Sequence, residues 1–553
     1  MNADPPAVPP RSIPPRDGGT GDSGSGDPGS GDSGSGGSAN TGRAAGRGRG
    51  SGGLALGALC GLLAGAAAVA VGELAALAAG GAESAPAVAV GQRAIDLAPQ
   101  SVKEFAIRNF GSGDKGALLT GVYAVLLVAS AAIGILARRH LNLASCAAAA
   151  FGIVGIVAAE TRASAPPGAW FPSLLGGAAA VFVLRWLTRL GHEASDSVTD
   201  RRRFLLAVAG TAIGAAAGGF GAKAWLDSRF DAGPARAAVK IPPPVEPLAA
   251  VPAATHPNVP GLGTFFTPNS QFYRVDTALT VPQVDPSQWT LQIRGMVDRP
   301  VRMTFAELLA LPLDEHDLTL TCVSNPVGGP YCGNARWIGA PLAPLLRRAG
   351  VHSGADQILA TSTDGMTIGT PLSAVLDGRE AMLAVAMNGE ALPIEHGFPC
   401  RMLVPGLYGY VSATKWVVDL NLTTFSAAQA YWVGEGWAQQ APVKTASRID
   451  VPHDGDSVTS GSVVIAGTAW ATHRGVAGVE VQVDGGAWHE ATLAASDTPD
   501  TWRQWTYTWD APRGQHRIAV RATDGTGTVQ TSTVQDPVPN GATGYHQISV
   551  NVN

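Results

Sequence analysis

Residues 318–329 read Leu-Thr-Leu-Thr-Cys-Val-Ser-Asn-Pro-Val-Gly-Gly. Leu318 and Leu320 alternate with Thr319 and Thr321, the period-two pattern of a strand with one apolar face. Cys322 falls where the alternation stops, and Asn325-Pro326 with Gly328-Gly329 forces a turn. A thiol at a strand end beside a Gly/Pro loop is placed to face a cavity, as a soft metal ligand or a nucleophile. A small buried structural thiol is the alternative, since free cysteine is commonly buried. Outward from this strand, residues 263–425 mix short strands (Trp289–Gly295) with short helices (Thr304–Ala310 and Pro341–Ala349), an α+β pattern. From 441 to 553 the character changes. Ser462–Trp470, Gly478–Val483, Trp502–Trp509, His516–Thr523 and Tyr545–Val552 alternate apolar and polar between Gly/Asp turns, as in an immunoglobulin-like β-sandwich.

The N-terminal part is of another kind. Residues 1–50 are Gly, Ser, Pro and Asp with almost no apolar side chains, a composition that does not support a packed core. Residues 51–225 read as a membrane region. Its five apolar runs lie at about 53–80, 116–137, 142–160, 170–187 and 204–220, each near the length that spans hydrocarbon. Arg43, Arg47 and Arg49, then Arg138, Arg139 and His140, then Arg201–Arg203 fall at alternate ends of the runs. That places the N-terminus inside and everything beyond residue 221 outside a bacterial-type cell membrane. Between the first two runs, Val102–Phe110 reads as a short amphipathic helix. Thr199-Asp-Arg-Arg-Arg-Phe-Leu-Leu206 is similar to a twin-arginine export signal, used for proteins folded around a cofactor before export. Ala222-Lys-Ala224 has the form of a cleavage site, and a retained anchor is the preferred reading. Residues 226–262, rich in Pro and Ala, read as a linker.

Net charge is −5, with no basic excess to favour nucleic acid as a partner. Of the five cysteines, Cys60 and Cys146 lie in apolar runs. Cys322, Cys332 and Cys400 are too few and too irregular for a disulfide framework or a zinc site. Cys322 and Cys332 could pair, which a ligand role for Cys322 would exclude. His396, Arg401 and Lys415 stand on a Gly/Pro-rich scaffold among Phe398, Val404, Tyr408 and Trp416. This donor set suits a phosphate, with Arg able to bind it bidentately. One thiol beside an anion-binding set suggests a phosphate-bearing cofactor whose metal takes one protein sulfur.

Four motifs carry a resemblance: His396-Gly-Phe-Pro-x-Arg401, Val404-Pro-Gly-x-x-Gly409, Lys415-Trp416, and the Cys322 strand end with Ala335-Arg-Trp-x-Gly-Ala340. Together they resemble the molybdopterin-binding core of the sulfite oxidase family. Gly467-Thr-Ala-Trp470, Val483-Asp-Gly-Gly-Ala-Trp488 and Tyr545–Val550 are similar to that family's C-terminal domain, which implies a homodimer through the sandwich. The resemblance covers about 263–553. It implies molybdenum-molybdopterin held by Cys322 as metal ligand, with Asn269, Phe272, Tyr273, Arg274, Thr363, His396, Arg401, Ser412 and Lys415 contacting the cofactor. It implies two-electron oxygen-atom transfer on a small-molecule substrate.

Two places depart from the sulfite-oxidising pattern. Asn325-Pro326-Val327 stands where an Asn-Arg-Arg is expected, and Met366 where a tyrosine is. Arg274, Tyr331, Trp337 and Arg336 are left to line a less cationic substrate pocket, so sulfite oxidation and S-oxide reduction both stay open. No haem is expected. The membrane region has only His140 and His192, both at cytoplasmic ends, so electrons would pass to or from a separate partner. The alternative to an enzyme is a non-catalytic membrane-tethered binding module that uses the sandwich.

Overall fold

The apolar runs of the N-terminal region form long helices. In the computed structural model, which describes residues 48–78, 84–99, 102, 105, 114–162, 168–193, 197–229 and 231–553, these are α1 (Gly48–Ala76), α2 (Pro86–Leu97), α3 (Asp114–Ala137), α4 (Leu141–Glu160), α5 (Phe171–Glu193) and α6 (Val198–Arg229). All but α2 are long and apolar enough to cross a membrane. The last is longer than its apolar run, because the helix takes in Arg201–Arg203 at its start. The helix α2 was not anticipated. It begins with proline at its first position and buries Ala87 and Ala89. Of the tail expected over 1–50, residues 1–47 lie outside the described residues, as does most of 102–110, while residues 48–50 open α1 instead.

Small residues set the helix spacing. A methyl group on Gly61 would collide with the Ser130 carbonyl, and one on Gly152 would lie 3.0 Å from Gly177 Cα. Such close backbone approach is how apolar helices associate where no hydrophobic drive distinguishes helix from lipid. Large apolar side chains point outward instead: Val128, Ile153, Phe182, Ile213 and Phe220 are each more than half exposed.

The α+β part holds two sheets. Strands β1 (Thr290–Gly295), β2 (Val301–Thr304), β3 (Asp314–Thr321), β4 (Cys332–Pro341), β5 (Gln357–Ser362), β6 (Thr367–Pro371), β7 (Met382–Met387), β8 (Glu390–Ala391), β9 (Arg401–Leu403) and β10 (Val417–Thr423) divide into the orders β2-β1-β10-β5-β6 and β3-β4-β7-β8, with β9 on β7. Thr304 caps helix α7 (Phe305–Leu309) through a capping box with Glu307. Helix α8 (Leu342–Ala349) ends at Gly350, whose φ of 72° suits glycine. Leu291, Ile293, Leu308, Leu346, Ile358 and Leu420 fill the core between them. The stretch expected as a linker lies along this body: Arg236 donates to the carbonyls of Leu392 (2.8 Å) and Ala391 (2.7 Å), and Val245 N donates to Leu313 O.

Residues 446–552 form a β-sandwich of two mainly antiparallel sheets around Ile465, Val481, Trp505, Ile518 and Val520. The five expected strands are present to within one or two residues, and Ala446–Val451, Ser457–Val458, Trp488–Glu490 and Thr492–Leu493 add four that were not expected. The position of the sandwich explains a difference at the opening stretch. Asp317–Thr321 are all buried rather than alternating. The threonine face is covered by the sandwich loop: Thr319 N donates to Asp500 O at 3.0 Å, and Trp502 N to Thr319 Oγ1 at 2.7 Å. Beyond Cys322, Arg448 Nη1 donates to Gly329 O at 2.9 Å, and the His546 ring lies directly against Gly328, whose φ is 74°.

A methyl on Gly328 meets both that ring and an unfavourable backbone conformation. Gly328→Ala is therefore expected to cost about 1–3 kcal/mol. Gly485→Ala has a similar φ of 70° but open space around it and is expected to cost about 1 kcal/mol or less. Thermal unfolding of both variants checks the difference.

Candidate cofactor site

One cavity of about 160 Å³ is lined by residues from both sheets and their loops. The end of β3 delivers Cys322 to it. Backbone bonds fix the thiol's position: Cys322 N donates to Tyr331 O at 3.0 Å, and Asn325 N donates to Cys322 O at 3.1 Å. Its Sγ lies 2.9 Å from Ser324 Oγ. Burial pushes the thiol pKa up, and the Ser324 bond and the Lys415 charge pull against it. Cys322 and Cys332 are both free thiols.

The cationic wall comes from later segments. Arg401, the first residue of β9, is buried with its guanidinium 5.4 Å over the Trp337 ring, and burial lowers its pKa to about 10. Lys415 Nζ donates to Asp276 Oδ2 at 2.7 Å and to Glu395 O at 3.1 Å. Burial pulls Lys415 down to about 8, against the opposing pull of Asp276. Asp276 also accepts from Arg274 Nε at 2.9 Å and pairs with Lys115. Burial alone would raise its carboxyl. Lys415, Arg274 and Lys115 outweigh that and hold it well below the usual carboxylate range.

His396 closes a short 3₁₀ turn, Ile394–His396, with Nε2 3.3 Å from Asn269 O. Burial, with Arg401 and Lys415 nearby, lowers its pKa to about 3, so the imidazole is neutral. The nitrogen facing a carbonyl must carry the proton, which leaves Nδ1 as an acceptor. Gly397, at φ 114°, lets this turn lie against both cations: a Cβ there would sit 3.0 Å from Arg401 Cβ and 3.2 Å from Lys415 Cα.

Of the residues singled out in the sequence, Phe272, Tyr273, Cys322, His396, Arg401 and Lys415 line the cavity. Burial keeps the Tyr273 phenol protonated. The others stand elsewhere. Asn269 bonds Glu390 (2.6 Å) and Asn388 (2.9 Å), and acts through its carbonyl on His396. Arg274 is turned to Asp276. Trp337 is fully buried in the core, its Nε1 donating to Leu318 O. Arg336 forms a two-pronged pair with Asp317, at 2.8 and 2.7 Å. Tyr331 touches the site through its backbone and through its ring, 6.4 Å from that of Tyr273. Ser412 donates to the Leu407 and Tyr408 carbonyls within helix α9 (Gly409–Ser412). Thr363 is exposed, and its neighbour Ser362 faces the cavity instead.

Asp276, Ser324, Ser362, Asp364, Trp432 and Trp437 also line the cavity, and the sequence reading passed over all of them. Asp276 was within reach, since an extended chain turns residues two apart to the same side and Arg274 was already singled out. Ser362 shows the one-residue slip that reverses a strand's faces.

Arg401 Nε, Ser362 Oγ, Thr414 Oγ1 and Trp437 Nε1 are buried without a hydrogen-bond acceptor or donor, and all four residues line this one space. Buried polar atoms left unbonded cost about 1–3 kcal/mol each, so four in one place suit a polar ligand. Among the described residues no cluster of three or more His, Cys, Asp or Glu side chains could hold a metal alone. A single thiolate with buried cations fits a metal that brings its own ligands and an anionic carrier.

Fold and site thus define a molybdopterin-binding oxidoreductase domain. Residues 278–432 match the family model "Oxidoreductase molybdopterin binding domain", and residues 446–550 match "Bacterial Ig domain". Rat mitochondrial sulfite oxidase (Rattus norvegicus) is 29% identical over 324 residues, 49% of this chain and 58% of the relative. Chicken sulfite oxidase (Gallus gallus) is 29% identical over 327 residues, 49% of this chain and 69% of the relative. The sulfane dehydrogenase SoxCD structure from Paracoccus pantotrophus aligns at 24% identity and a TM-score of 0.45, covering 56% of this chain and 90% of that one. The chain is thus similar to sulfite oxidases over its α+β body and sandwich, and carries a molybdopterin-binding oxidoreductase domain beside an N-terminal helical region. The chain spans about 58% of the length of the mammalian relatives it matches.

Lys415 gives a pH signature. In the ligand-free site it is protonated below about pH 8, and a bound anion raises its pKa. Sulfate, whose charge is constant over this range, should bind cofactor-free protein about tenfold more weakly per pH unit above 8. Lys415→Met should flatten that dependence. Calorimetric titration between pH 7 and 9.5 measures both.

Proposed function

We propose that this chain is a membrane-anchored molybdopterin-dependent oxidoreductase, with its catalytic domains on the extracytoplasmic side and Cys322 as the protein's ligand to molybdenum. The observation that carries the reading is the cavity where a buried thiol meets buried cations and four unbonded polar atoms. The outward apolar faces of the long helices support the anchor. Alternating positive clusters and the Thr199–Leu206 motif support the sidedness.

The cofactor, when bound, supplies two-electron oxygen-atom transfer at molybdenum. The chain's own residues do the rest. Arg401 and Lys415 bind the anionic end of the cofactor, and Ser362 and Thr414 offer it hydroxyls. His396 stays neutral, donating from Nε2 to Asn269 O and accepting at Nδ1. Away from the cations the wall is apolar and aromatic: Met366, Ile368, Tyr410, Trp432 and Trp437.

This apolar wall favours a neutral S-oxide over a sulfite dianion, because Arg274 and Arg336 are both engaged by carboxylates. Reduction of an S-oxide consumes two electrons and two protons and yields a thioether and water. The electrons come from a separate donor.

Protein made in a molybdopterin-competent host should contain molybdenum, and its absence would sink the proposal. Cys322→Ser should lower turnover at least a hundredfold with unchanged circular dichroism. Dye-coupled assays in both directions, methionine sulfoxide reduction and sulfite oxidation, should favour the former by at least tenfold in kcat/KM.

A further inference from the structure

The wall segment Val275-Asp276-Thr277 has two sides. One side lines the cavity. The other meets the N-terminal helices: Gln92 Nε2 of α2 donates to Thr277 O at 3.2 Å, and Lys115, in the first turn of α3, pairs with Asp276 and donates to Ala278 O. Asp276 is nearly buried, at 5% exposure, and three cations share its one negative charge.

The division of its oxygens is specific. Lys115 takes Oδ1, while Arg274 and Lys415 take Oδ2. Were Lys115 absent, the carboxylate would be free to turn both oxygens toward Arg274 and Lys415. Lys415 would then be more fully neutralised by protein and would attract an outside anion less. The arrangement as it stands leaves net positive charge beside the cavity.

We propose that Lys115 is a positioning residue of this cavity. By holding Oδ1 of Asp276, it limits how far that carboxylate neutralises Lys415 and leaves positive charge facing the phosphate of the cofactor, so that the helical region is part of the cofactor site as well as an anchor. The cofactor's identity rests on the functional reading above. The effect of Lys115 on charge at the cavity needs only an anion.

The test uses the full-length protein in detergent. Lys115→Gln should release its pterin at least fivefold faster than wild type on dilution, followed by pterin fluorescence, and Lys115→Arg should restore the rate to within twofold. Gln92→Ala loosens the same contact without touching Asp276 and should release pterin at the wild-type rate. In an Asp276→Asn background, adding Lys115→Gln should change the rate less than twofold.

Wild-type release by Lys115→Gln, or equally fast release by Gln92→Ala, would overturn the proposal. A second arm needs no pterin: cofactor-free Lys115→Gln should bind sulfate at least fivefold more weakly than wild type, and equal affinity overturns the role of Lys115. Wild-type protein without pterin would sink the cofactor reading alone, and the sulfate arm would still decide this one. If Lys115→Gln does not fold, Lys115→Met in the sulfate arm takes its place, with the same expected and overturning results.

Discussion

A buried ammonium and a buried guanidinium face one cavity, and the rest of this site is arranged around that cost. Taking a charge out of water costs several kcal/mol unless other charges and hydrogen bonds replace its hydration. Lys415 has Asp276 and a carbonyl, while Arg401 has only the face of Trp337 and an unbonded Nε. A fold that holds such groups in place without full compensation is poised for an anion from outside. The neutral His396 fits the same logic, since a third charge here would raise the cost further.

The groups stay in place because their backbones are held from several directions. Cys322 is tied to Tyr331 and Asn325, the threonine face of its strand is closed by Asp500 and Trp502, and the loop after it rests on Arg448 and His546. The sandwich is thus structural support for the Cys322 loop. On the opposite side the helices hold Asp276 and Thr277. A single cavity is braced by parts of the chain that are remote in sequence, and a thiol at a strand end gains a fixed direction from them.

Much of this was legible in the sequence. The five apolar runs became helices, the expected sandwich strands fell where alternation put them, and six of the thirteen residues singled out line one cavity. Local rules carry these because period, turn residues and run length are properties of a short window. Trp337 and Ser412 were misplaced in role, because a motif fixes which residues stand together and leaves open which of them face the space between. Arg274 and Arg336 looked like substrate groups until their carboxylate partners, two and nineteen residues away, were seen to engage them.

By itself, the sequence determined the helical region, the α+β body, the sandwich, and a thiol with an anion-binding set. Each of these is written in patterns of a few to a few tens of residues. Only the tertiary structure decided that Asp317–Thr321 is buried on both faces and that Ser362 rather than Thr363 meets the cavity. It also decided that Lys115 reaches Asp276 across 161 positions. Charge compensation and burial depend on distance in space, and a linear pattern has no term for that.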